Sequence, residues 1–160
     1  MSSSRRSHRY VTETRWTGNQ GAGTLSYQAY SRNHEIGAAG KSSVISASSD
    51  SNYRGDRERF NPEELLVAAL SSCHMLWMLH LCATSGIIVT DYFDAAEGVM
   101  RENADGSGEF VSVTLHPNIT ITDPAKADQA MALNRRAHDF CFIARSVNFP
   151  VKHEPVVIVR

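Results

Sequence analysis

Three cysteines, Cys73, Cys82 and Cys141, are the side chains in this sequence best suited to covalent chemistry. A thiol attacks only as its thiolate, and only where a substrate can reach it. Cys73 lies in a long apolar stretch, with Trp77 one turn on and Met75 and Met78 close by. Such surroundings keep a thiol protonated unless a cation offsets them. The plain alternative is a small core residue, since unpaired cysteine is among the most buried side chains. Cys82 follows nine residues later. Nine steps of about 100° end half a turn round the helix, so Cys73 and Cys82 face opposite ways and cannot pair within it. Cys82 therefore reads as core. Cys141 stands between Phe140 and Phe142 near the end of a second helical segment and is the remaining intrachain partner for Cys73. No Cys-x-x-Cys motif occurs. An odd cysteine count argues against a secreted disulfide framework and leaves room for one working pair and one bystander.

Other chemistries fit less well. His138 and Cys141 are three residues apart and could share a helical face as zinc ligands. Two more ligands would have to come from elsewhere. His74 and His80 turn to different faces, and His80, on the Cys73 side, lies about 10 Å along the axis. No compact ligand cluster emerges, so neither a metal nor another bound cofactor is expected. A Cys/His hydrolase would use Cys73 as nucleophile. Ser71-Ser72-Cys73-His74 falls inside a helix, however, and not on the strand-to-helix turn of a nucleophile elbow.

The elements that must position these thiols can be read from the whole chain. Its 160 residues, 42% apolar and 21% charged, suit one folded domain over residues 10–160. A formal net charge of −1 gives no footprint for nucleic acid or an anionic membrane. Residues 1–9 are polar and basic, precede no apolar run and read as a frayed tail, not a signal peptide, so a cytoplasmic protein is expected. Leu65 to Ala83 is apolar enough to raise a membrane span, but Ser71, Ser72, His74 and His80 interrupt it. It also begins like a capped soluble helix: Asn61 as N-cap, Pro62 at the first helical position, Glu64 completing a capping box, and Gly86 as the stop. Being apolar nearly all round, this helix should be buried on most sides, and docking against a second copy is one way to achieve that.

Before it, Tyr10 to Trp16 and Thr24 to Tyr30 read as strands joined by a glycine-rich turn, and Ser42 to Ala47 as a third strand. The polar loop Ser48 to Phe60, carrying Arg54, Arg57 and Arg59, is long enough to suggest a functional role. After the helix, Ile87 to Met100 mixes a short apolar run with a strand, Asn103 to Gly108 is a turn, and Phe110 to Ile121 alternates as a strand. Asp123-Pro124 opens a second helix, and Val156 to Val159 closes the chain as a strand. Strands grouped apart from helices predict an α+β fold, with helices on one face of antiparallel sheets.

The run from Asn61-Pro62-Glu63 to Ser71-Ser72-Cys73 resembles the signature of the OsmC and organic hydroperoxide resistance (Ohr) family: an Asn-Pro-Glu helix start and a cysteine ten residues after the glutamate. A second cysteine near the end of the later helix, here in Ala137-His138-Asp139-Phe140-Cys141, completes the pattern. The resemblance implies a long buried central helix, an intertwined homodimer with interfacial active sites, and a thiol peroxidase acting on organic hydroperoxides and on hydrogen peroxide. By position, Cys73 becomes the peroxide-reducing cysteine, Cys141 its resolving partner through a disulfide, and Glu63 the holder of an arginine. Arg54 corresponds best to that arginine, with Arg32 second, while Arg57 and Arg59 read as solvated loop charges. Ten helical residues span about 15 Å, so a Glu63–Arg54 pair serving Cys73 would come from the partner subunit. Turnover would draw on an external dithiol, of lipoyl type in this family. Trp77, Met75, Met78, Phe140 and Phe142 could line an apolar pocket.

Two positions depart from the family pattern. His74 follows Cys73 where an apolar or small residue is usual, and Phe142 follows Cys141 where proline is common. They mark a divergent branch. They also keep a second reading open: a non-enzymatic small-molecule-binding or redox-sensing stress protein on the same fold. His74 itself reads as a core or interface residue, or as a group that tunes proton transfer.

Overall fold

In a computed structural model that describes residues 6–160, the chain divides into two compact units, one ending at Pro62 and one running from Glu63 to Arg160. Of the tail expected over residues 1–9, the first five lie outside the described residues.

The first unit holds an antiparallel sheet of β1 (Glu13–Trp16), β2 (His34–Gly37) and β3 (Ile45–Ala47), in that order. The strand expected over Thr24–Tyr30 does not form. Pairing with β1 falls instead to His34–Gly37, and the intervening residues make a turn-rich loop. The cause is a competing organiser. The carbonyls of Tyr27 and Tyr30 accept hydrogen bonds from the Arg32 guanidinium at 2.8 and 2.7 Å, and their rings flank it at 4.2 and 4.1 Å. Backbone groups held this way are lost to a strand ladder. The long loop after β3 is also built, not slack. Asp50 caps a short 3-10 turn, Ser51–Tyr53, and Arg54 closes it in the left-handed region at φ 63°. Gly55 follows where a Cβ would come within 1.5 Å of the Ser49 carbonyl oxygen, so only glycine fits.

The second unit is organised by α1 (Pro62–Thr84), stopped by Gly86 at φ 67°. Its buried residues Leu70, His74, Met78, Leu81 and Cys82 recur at helical spacing along one stripe. Leu70 enters a cluster with Val113 and Leu115, while Met78, Leu81 and Cys82 enter another with Ile87, Ile119, Ile121, Ala130 and Ala137. The rest of the helix is less covered than its composition suggests: Leu76 is 62% exposed in the single chain. α1 is long and apolar enough to cross a membrane, but its buried stripe packs on strands and a helix of its own unit.

Beyond α1 the chain forms β4 (Val89–Asp94), β5 (Glu97–Glu102), β6 (Gly108–Leu115), β7 (Pro117–Ile121), α2 (Ala127–Phe140), β8 (Val151–His153) and β9 (Val156–Val159). These strands make two sheets, ordered β4-β7-β9 and β5-β6-β8. The expectation of antiparallel sheets needs correction. β4/β7 and β5/β6 are antiparallel, but β7/β9 and β6/β8 are parallel, because the chain returns through α2 before laying down the last strands. Two stretches that read as single strands are each split between the sheets. Ile87–Met100 breaks after Asp94, and Phe110–Ile121 breaks at His116. Both breaks are fixed by one carboxylate, since Asp94 Oδ1 accepts the His116 N–H at 2.7 Å. β8 went unforeseen because it is only three residues long and contains Lys152. The α+β class holds, with one central helix and small sheets.

Candidate active site

Cys73 sits midway along α1, half-buried, and Cys141 is the buried residue that ends α2. α2 follows a 3-10 turn, Pro124–Lys126, capped by Asp123, whose side chain accepts the Ala125 N–H at 2.9 Å, and its last turn closes when the Cys141 N–H donates to the His138 carbonyl at 3.1 Å. There the backbone turns extended, with Cys141 at φ −64° and ψ 110°. The turn brings its thiol close enough to that of Cys73 for the two to interact, and both are free. Cys82 is the third free thiol, buried in the core cluster with Met78, Ile119 and Ile121, as expected.

The surroundings of Cys141 set its protonation. Burial, then the hydrogen bond to Cys73, push the Cys141 thiol up to about 11, against a smaller lowering from the Ala144 N–H, which donates to its sulfur at 3.4 Å. At neutral pH Cys141 is therefore protonated. Burial also pushes the Cys82 thiol up, which suits an inert core residue.

An aromatic group flanks the pair. The Trp77 ring lies 5.1 Å from Phe140 and 5.7 Å from Phe142, and His80 meets its edge at 5.7 Å. Phe140 and Phe142 keep exposed surface, so this group can offer apolar contact to a substrate. Of the other expected pocket residues, Met78 is fully buried in the core and Met75 half-buried on α1.

The acid and the base expected at the site lie apart from the thiols along the chain. Glu63 is half-buried on the first turn of α1, where a carboxylate complements the helix dipole. Ten residues of helix separate it from Cys73, about 15 Å. Arg54 belongs to the first unit, exposed, with its guanidinium 6.0 Å from the Tyr27 ring. Arg32, the second choice, is engaged by Tyr27 and Tyr30. Arg59 pairs with Asp56 at 3.4 Å in a half-exposed contact.

His74 is where the structure goes furthest beyond the sequence. It is fully buried, its ring stacked on His153 at 5.8 Å, and His153 lies 5.2 Å from His138. Burial, then His153 and His138, drive His74 down to about 4, with Asp94 and Asn134 pulling the other way. Burial also lowers His153. His153 and Asn134 carried no motif. The signals were a polar residue at a core position of α2, spaced with Ala130 and Ala137, and the period of two that turns His153 the same way as Val151. Among the described residues, no group of three or more His, Cys, Asp or Glu side chains has the geometry to hold a metal ion.

Comparison with known proteins agrees with this architecture. The family model described as OsmC-like protein matches residues 55–155. An OsmC-like protein of unknown function from Vibrio cholerae is 31% identical, with a TM-score of 0.84 over 94% of this chain and all of that one. An organic hydroperoxide resistance protein OsmC from Legionella pneumophila shares the fold at 20% identity and a TM-score of 0.66, covering 96% of this chain and 100% of that one. The uncharacterised protein YmaD of Bacillus subtilis is 22% identical over 144 residues, 88% of this chain and 87% of its own length.

Proposed function

This chain belongs to the OsmC-like family, and on that footing we propose that it is a thiol-dependent peroxidase acting on organic hydroperoxides. The observation that carries the reading is that two free thiols lie within interaction range, Cys73 half-exposed and Cys141 buried with its pKa raised to about 11. One thiol is reachable, and the other is poised to condense with it.

In the proposed reaction the Cys73 thiolate attacks the distal oxygen of the hydroperoxide. The O–O bond breaks, the leaving alkoxide takes a proton to become an alcohol, and Cys73 becomes a sulfenic acid. Cys141 then attacks that sulfur, water leaves, and a Cys73–Cys141 disulfide forms. An external dithiol, of lipoyl type, restores both thiols by exchange and is itself oxidised to a disulfide. The Trp77, Phe140 and Phe142 rings favour an organic substituent over hydrogen peroxide.

We further propose that two chains associate through the exposed side of α1, where Leu76 is 62% exposed. In that dimer, Glu63 and Arg54 of one subunit would serve Cys73 of the other, because Glu63 is too far along its own helix. A guanidinium there would stabilise the thiolate and orient the peroxide.

The test is rapid-mixing kinetics of the reduced protein with cumene hydroperoxide and with hydrogen peroxide, beside Cys73→Ser. Fast consumption that needs Cys73, prefers the organic peroxide and leaves a Cys73–Cys141 disulfide is the expected result. A single slow oxidation, or consumption independent of Cys73, would replace the enzyme with a redox-sensing or binding protein on the same fold.

A further inference from the structure

Two buried polar side chains, His74 and Asn134, and two half-buried ones, His138 and His153, lie near the thiol pair and serve no step of the proposed reaction. Both ring nitrogens of His74, Nδ1 of His138, Nδ1 of His153 and both amide atoms of Asn134 are shut off from solvent with no well-formed hydrogen bond. Native interiors rarely leave such groups unpaired. The four come from α1, α2 and β8, and two sit beside the cysteines: His74 adjoins Cys73, and the carbonyl of His138 holds the Cys141 N–H. We propose that this cluster is an acid-sensitive latch, closed while its imidazoles are neutral, that holds the Cys73 and Cys141 segments together and releases the end of α2 when it takes up a proton.

The argument rests on what a proton would meet. A charge on His74 would sit in a dry interior with the His153 ring centre 5.8 Å away, and one on half-buried His153 would lie between His74 and His138, the latter 5.2 Å away. The charged groups that face the cluster offset this only in part. Asp94 on β4 faces His74, but its carboxylate is already engaged by Ser71 and the His116 N–H. Arg135 and Asp139 on α2 act on His153 in opposite directions. Admitting water by moving the short, exposed end of α2 relieves both the desolvation and the repulsion. Burial has already lowered His74 and His153, so the closed latch favours the neutral rings. The latch concerns the spacing of two thiols and does not depend on peroxide turnover.

The test uses the reduced, full-length protein and 4,4′-dithiodipyridine, a disulfide that reacts with thiols in mild acid, with N-acetylcysteine as the reference at each pH. Normalised labelling of Cys141, located by mass spectrometry, should rise about tenfold from about pH 7.5 to about pH 4.5, in step with the NMR titration of His74 and His153. Labelling of Cys82, buried near the far end of α1 against Ile119 and Ile121, should stay low and so exclude global unfolding. In His74→Leu and His153→Leu the rise at Cys141 should disappear. Flat labelling of Cys141 in the parent protein would overturn the proposal. So would a rise matched by Cys82, or one that persists in both variants. Should the variants fail to fold, the parent protein decides: coincident midpoints for imidazole uptake and labelling support the latch, and separated midpoints overturn it.

Discussion

Ser71 on α1 donates its hydroxyl hydrogen to Asp94 Oδ2 at 2.5 Å and so fastens the helix, two residues before Cys73, to the end of β4. The other oxygen of Asp94 takes the His116 N–H, which fixes the corner between β6 and β7. One half-buried carboxylate thus ties the thiol-bearing helix to both sheets of the second unit. Asp94→Ala should cost about 2–3 kcal/mol in urea unfolding, since it strands a backbone donor as well as a hydroxyl, against about 1 kcal/mol for Ser71→Ala. In the double variant the Ser71 loss should largely vanish, because its partner is already gone. Equal single losses that simply add would show that the contact does not tie the helix down.

The two cysteines should separate by step. Cys73→Ser should lower peroxide consumption about a thousandfold or more, having no thiolate to attack. Cys141→Ser should keep the first oxidation within about tenfold but stop at a sulfenic acid, trapped by dimedone and seen as a mass increment on Cys73. The assignment is reversed if the dimedone adduct appears on Cys141 in Cys73→Ser.

Much of this arrangement was legible beforehand. The signature from Asn61 to Cys73 marks the start of α1 and one thiol, Gly86 marks its stop, and Asp123-Pro124 marks the start of the second helix. The strands were harder because their cues were overridden locally. Thr24–Tyr30 follows a glycine-rich turn where a returning strand is expected, but the Tyr27 and Tyr30 carbonyls bind Arg32 instead. The alternation through His116 continues across a break that only the distant Asp94 enforces. The meeting of His74 with His153 joins residues 79 positions apart through a parallel strand, which no local pattern encodes. The same holds for Glu63 and Arg54, whose proposed use depends on a second chain.

Trp77 should set preference more than rate. Its ring contacts Phe140 and Phe142 on either side of Cys141. Trp77→Ala should lower kcat/KM for cumene hydroperoxide relative to hydrogen peroxide about tenfold, the scale of one lost apolar contact surface. Trp77→Phe should stay within about threefold of the parent, because a ring still fills the gap. If Trp77→Ala slows both peroxides equally, the aromatic group supports the fold and does not receive the substrate.

Acid should weaken the fold through His74. Its folded-state value is lowered to about 4 from an ordinary 6.5, chiefly by burial. The unfolded chain therefore binds the proton more tightly, and stability is fully present above about pH 6.5 and lost as pH falls toward 4. A shift of this size corresponds to about 3 kcal/mol over that window. His153, lowered for the same leading reason, acts with the same sign. His74→Leu should thus be less stable than the parent at neutral pH, or equal to it, yet lose less between about pH 7 and about pH 4.5 by about 2 kcal/mol. Urea unfolding of both proteins at each pH measures the difference. Parallel stability curves would mean that the proton taken up on unfolding belongs to other groups, and that His74 is neutral in the fold for reasons that cost nothing to undo.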